Sequence, residues 1–130
     1  MSRLQDDLAR QQQRIEQRCQ RFVGVLLQQI YYALVDKSPV DTGRFSSNWK
    51  LGEGGINSET TTDTTVPELA LPVITLGQSY FVSNSLPYAL RLEHGWSQQA
   101  PAGMVGIVLA EMQEHGPLVA AALQALPSGG

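Results

Sequence analysis

RLQDDLARQQQRIEQRCQRFVGVLLQQIYYALVDKSP, residues 3–39, decides the fold. Leu4, Leu8, Ile15, Cys19, Phe22, Leu26 and Ile30 fall within one stripe about 80° wide when residues are placed at 100° steps, and Val23 and Leu34 widen it. That period predicts a single helix over residues 3–37. Ser2 and Gln5 have capping-box spacing, so each could satisfy a free N–H at the start. Arg3, Arg10, Arg14, Arg18 and Arg21 form a second stripe beside the first. A helix of this length spans about 50 Å, more than a small domain can cover. Its glutamine-rich first half (Gln5, Gln11, Gln12, Gln13, Gln17, Gln20) is therefore expected to project from the body. Cys19, on the apolar stripe, reads as a buried small hydrophobe. Ser38-Pro39 ends the helix, because proline drives its predecessor out of the α region.

Beyond the helix, Val40-Asp41-Thr42-Gly43 reads as a turn, and residues 44–52 as a strand anchored by Phe45, Trp49 and Leu51. Residues 52–68, with three early glycines and the Thr60–Thr65 run, read as a flexible loop. Nothing apolar in the threonine run would hold an extended arm in place. Strands are predicted at 69–76, where Pro72 argues for an edge, and at 78–84. A short helix or turn follows at 87–94. Pro101 suits a first helical turn, with Met104, Val105, Val108, Leu109 and Met112 on one face. The fold class is α+β: a long N-terminal helix, a small antiparallel β-sheet and a C-terminal helix. The whole of 1–130 reads as one domain: the helix over 1–37, a β-rich body over 38–100 and a C-terminal helical segment over 101–126.

Composition narrows the function. Hydrophobic residues are 42% and charged residues 16%, enough for one core and too few charges for a disordered chain. The net charge of −3 argues against a free-standing DNA binder. The charge is uneven: residues 1–37 carry six bases and four acids, +2, and the remainder three bases and eight acids, −5. The helix is thus a candidate surface for an acidic partner. One cysteine leaves no disulfide framework, and the chain is expected to fold in a reducing cytosol. The polar start is unlike a signal peptide. No apolar run approaches the roughly 20 residues of a membrane span, so no membrane role is expected.

Two segments carry a recognisable pattern. The first is Ser38-Pro39-Val40-Asp41-Thr42-Gly43-Arg44-Phe45 with Asn48-Trp49. The second comprises Tyr80-Phe81-Val82-Ser83-Asn84, Pro87-Tyr88-Ala89, Leu92-Glu93-His94-Gly95-Trp96-Ser97 and Ala100-Pro101-Ala102-Gly103-Met104-Val105. In this order, after a long helix, they resemble the tail-completion or neck (head–tail joining) proteins of long-tailed double-stranded DNA phages, including the minor tail protein Z-like families. The resemblance spans roughly residues 20–112 by order of segments. It implies an α+β subunit that self-assembles into a homo-oligomeric ring, without cofactor or catalytic site. It places that ring in the virion, between the head connector and the tail-terminator or tail-tube proteins. DNA would cross the lumen unread, and assembly would occur in the host bacterial cytoplasm. Gly106 stands where the pattern leads one to expect a basic residue. The motif residues Pro39, Asp41, Thr42, Gly43, Arg44, Trp49, Asn84, Pro87, Tyr88, Glu93, Gly95 and Trp96 become interface candidates. Arg44 and Glu93 are candidates for an ion pair, within or between subunits. Arg10, Arg14, Arg18 and Arg21 are a candidate partner-binding face.

Other chemistries compete for the same residues. Asp41-Thr42-Gly43 is also the triplet of aspartic proteases, in which a dimer pairs two such carboxylates. The context argues against it: Ser38-Pro39 precedes the triplet in place of an apolar strand, and Arg44 follows. Glu111 and His115 share a helical spacing, but a zinc site needs three or four ligands and no third is evident. The arginine stripe could hold phosphates by charge alone. Trp49 and Trp96 read as core or interface anchors.

Overall fold

A computed structural model of the chain describes residues 2–39, 43–94 and 103–113, together with Ala122 and Gln124. Helix α1 runs Arg3–Lys37, over the predicted range. The Ser2 hydroxyl accepts the Gln5 N–H at 3.2 Å, filling one of the donors that a first turn leaves open. At the other end Ser38 is extended (φ −78°, ψ 148°), as a residue before proline must be. One 3₁₀ turn, Ser46–Asn48, leads into β1, Trp49–Glu53. Strand β2, Tyr80–Asn84, pairs antiparallel with it, Trp49 facing Asn84 and Glu53 facing Tyr80. Helices α2 (Ala89–Glu93) and α3 (Val105–Gln113) follow. The architecture is α+β, with a long N-terminal helix, a small antiparallel sheet and a short C-terminal helix.

The predicted strand over 44–52 starts late. The Ser46 hydroxyl (3.1 Å), the Ser47 hydroxyl (2.6 Å) and the Ser47 N–H (3.1 Å) all donate to the Gly43 carbonyl. Local bonds of this kind compete with a ladder, and here they close a turn before Trp49. The second correction concerns residues 69–76, which form no strand. They are part of an extended strap that runs back along α1. Tyr31 donates to the Pro67 carbonyl (3.2 Å), Tyr32 accepts the Leu69 N–H (3.1 Å), and Gln20 donates to the Ile74 carbonyl (3.0 Å). Leu71 and Ile74 fill the space over Gly24, where the helix has no side chain. An extended segment can satisfy part of its backbone on a helix instead of in a ladder.

The core gathers Tyr31, Leu34, Phe45, Trp49, Leu86, Met104 and Val108. Phe45 meets Trp49 edge-on at 5.8 Å and Tyr88 at the same centroid distance, separations at which aromatic pairs attract. Helix α3 is held to α1 by these contacts and by the Lys37–Glu111 ion pair at 3.2 Å.

The buried residues of α1 are Gly24, Leu27, Tyr31 and Leu34. On the helical wheel this face is centred about 120° from the stripe of Leu4, Leu8, Ile15, Phe22 and Leu26. The stripe that dominates the sequence is therefore not the face that packs on the body. Leu4, Leu8 and Ile15 are 68%, 56% and 63% exposed. Cys19, expected to be buried, is exposed with them.

Candidate functional site

The motif residues among those described hold backbone in place. Ser38 sits between the helix and the sheet. Its hydroxyl donates to the Leu34 carbonyl at 2.6 Å and accepts the Trp49 Nε1–H at 2.8 Å. That bond lets an indole be 96% buried (4% exposed) without stranding its donor. Pro39 is buried beside it. Gly43 has φ +76°, and a Cβ there would run into the Thr64 carbonyl, so the position needs glycine twice over. Arg44 is half-buried.

Asn48 is the residue that the sequence under-read. It is 0% exposed and uses both amide donors and its carbonyl. Nδ2 donates to the carbonyls of Arg44 (2.7 Å) and Thr61 (3.0 Å), and Oδ1 accepts the Thr61 N–H (2.8 Å). The Thr61 pair reproduces a two-bond β bridge with a side chain. It fastens the threonine run, for which no apolar anchor was foreseen, to the start of β1. Val66 and Leu69 then pack against the core. Asn84 works in the same way: Nδ2 donates to the Phe45 carbonyl (2.9 Å) and Oδ1 accepts the Leu86 N–H (3.2 Å). Pro87 is exposed and Tyr88 half-buried against Phe45.

Within the subunit the Glu93 carboxylate receives the first amides of α3. Oε1 accepts from Met104 and Val105 at 2.8 Å each, and Oε2 from Gly106 at 2.9 Å. A negative charge there also meets the positive end of the helix. Burial pushes the Glu93 carboxyl up. The three N–H bonds and the nearby His94 outweigh it, so its pKa lies below the ordinary glutamate value. Gly103, at φ +81°, lies so close that a Cβ would strike the Glu93 carbonyl. Tyr31 is shifted the other way: burial and the neighbouring Tyr32 push its phenol up.

Asp41, Thr42, Gly95, Trp96 and His115 lie outside the described residues. Glu111, the other half of the proposed metal pair, is bonded to Lys37. Among the described residues no three His, Cys, Asp or Glu side chains gather as metal ligands. No described helix is long and apolar enough to cross a membrane.

Among the described residues, two surfaces stand out as open. One is the first half of α1, exposed on every side from Arg3 to Cys19. It carries the apolar stripe and, beside it, Arg3, Arg10, Arg14, Arg18 and Arg21. The other is an apolar cleft of about 390 Å³ whose lining includes Phe45, Trp49, Val82, Leu86, Leu90 and Val105. Both offer apolar area with charged residues alongside. The chain matches no known family model, no curated protein and no solved structure.

Proposed function

We propose that this chain is a structural subunit of a phage virion, a tail-completion or head–tail joining protein of the neck. In this reading it forms a homo-oligomeric ring between the head connector and the tail terminator, and DNA passes through the lumen without being read. The mechanism is that of an adaptor: each ring face presents a surface to one neighbour. The observation that carries the reading is the division of the motif. Its polar side chains, Ser38, Asn48, Asn84 and Glu93, are spent on fixing turns, a strap and a helix end. A long amphipathic helix half is left over for partners. Such a subunit needs rigid turns and two unlike docking patches, since rings close through heterologous contacts.

The test is the mass of the purified protein by light scattering, with negative-stain images of the same sample. A closed ring of several copies is the expected result. A protein that stays monomeric, and that forms no ring when connector and tail components are added, contradicts the proposal. A dimer that cleaves peptides and is silenced by Asp41→Asn would replace it with an aspartic protease.

One observation favours a second reading, nucleic-acid binding by the exposed arginines of α1. It requires affinity for DNA that falls steeply with salt and is lost on neutralising Arg10, Arg14 and Arg18.

A further inference from the structure

Helix α1 has two apolar faces and the body covers one. Gly24, Leu27, Tyr31 and Leu34 are buried. Leu4, Leu8 and Ile15 are open to water, and Phe22 and Leu26, farther along the same stripe, are only half-buried. From Leu4 to Cys19 the uncovered stripe runs about 23 Å at 1.5 Å per residue. An apolar strip of that length, interrupted by Gln11 and Gln12 and rimmed on one side by arginines, marks a contact surface.

The same chain holds a matching receptor. The apolar cleft opens beside α2, where Leu90 is 69% exposed and Val105 38% exposed. The cleft borders the segment 53–68. Asn48, next to the cleft residue Trp49, is bonded to Thr61, and the cleft residue Ser83 donates to the Asn57 carbonyl at 3.3 Å. That segment carries Glu53, Glu59, Asp63 and Glu68 and no base, and all four acids are exposed. An apolar cleft beside acids thus faces the mirror of an apolar stripe beside arginines.

We propose that the first half of α1 docks on a second copy of this chain. Leu4, Leu8 and Ile15 enter the neighbour's apolar cleft, and the adjacent arginines meet the neighbour's acidic segment 53–68. Charge decides the arrangement. Residues 3–21 hold five arginines against Asp6, Asp7 and Glu16. Pairing α1 with α1 would therefore set positive surface on positive surface. Pairing α1 with the segment beside the cleft sets +2 against −4, and opposite potentials both steer the encounter and fix its register. The contact is head-to-tail: each copy offers one helix and one cleft, so copies add in one direction until the rotation closes. The docking deepens the ring reading and rests on it.

Two variants test it. Leu8→Glu with Ile15→Glu spoils the helix; Leu90→Glu spoils the cleft. All three positions are exposed, so at a dilution where the wild type is itself monomeric each variant should keep the wild-type circular dichroism and melting temperature. Each variant alone is expected to run as a monomer in light scattering, with association weakened at least ten-fold. An equimolar mixture is expected to yield a one-to-one dimer, because one intact helix and one intact cleft remain. A wild-type ring that survives either variant overturns the docking and leaves the ring standing. A wild type that stays monomeric overturns the docking, whether or not connector proteins later recruit it. Wild-type open chains or dimers that both variants dissolve keep the docking and overturn the ring.

Discussion

The two halves of α1 share one period and one helix, yet five of seventeen residues from Arg3 to Cys19 are apolar against eleven of eighteen from Gln20 to Lys37, and the halves live in different surroundings. From Arg3 to Cys19 every residue is exposed; from Gln20 to Lys37 the helix is covered by the strap 66–74, by Phe45 and Trp49, and by α3. The difference lies partly in that composition and partly in what the rest of the chain supplies. Periodicity reports that a helix has an apolar face; it does not report who covers it. The body closes over a face marked by Gly24 and Tyr31, where a missing side chain admits the strap and a phenol finds the Pro67 carbonyl. The first half has no such anchors. It continues a helix already nucleated, which spares it the cost of a first turn, but seventeen uncovered residues are marginal in water.

The contrast can be broken most severely from the covered side. Trp49→Ala removes a buried ring and leaves the Ser38 hydroxyl without its donor. A loss of about 3–5 kcal/mol is expected from truncations of this type, read as the midpoint of urea unfolding. Asn48→Ala comes next. Three hydrogen bonds go, at roughly 1 kcal/mol each, so about 3 kcal/mol should be lost, and protease cleavage near Thr61 should rise. If either change leaves the midpoint untouched, the covered half is not what stabilises the body.

Glu93→Gln sharpens the contrast with a smaller effect. A helix cap partly open to water contributes about 1 kcal/mol. Because the folded pKa lies below the unfolded one, this stability is full above the ordinary glutamate pKa and is lost as pH falls through the folded value. Wild type and Glu93→Gln should therefore differ at neutral pH and converge in acid, measured by thermal melting across pH. A gap that widens in acid would reverse the assignment. The smallest folding effect belongs to the open half: Leu8→Glu should change monomer stability by less than about 0.5 kcal/mol. A loss as large as that of Trp49→Ala would mean that the stripe is buried within the subunit after all.

The long helix, its serine cap and its proline stop were readable because each rests on local chemistry: a period, a hydroxyl and a fixed φ. The α+β order was readable for the same reason. Burial was not. Cys19 shares its wheel position with apolar neighbours, and only the path of residues 66–74 decides that another face is covered. The strap itself reads as a strand, since Leu69, Leu71 and Ile74 suit either; its partners on α1 lie far away in sequence. Asn48 was legible as part of the motif but not in its role, because an asparagine in a serine-rich turn looks like any turn residue. Glu93 suggested an ion pair with Arg44, and only the fold brings the start of α3 to it. A faint signal was present: an acid placed ten residues before the glycine that opens a helix.

Hydrogen–deuterium exchange, on dilute and on assembled protein, tests the division of α1 most directly. In the dilute subunit amides 5–19 should exchange fast and amides 27–34 slowly, since protection follows burial. On assembly the first group should become protected while the second changes little. Equal protection of both halves in the dilute subunit, or an open half that stays fast after assembly, would contradict the claim that the first half of α1 is kept free for a neighbour.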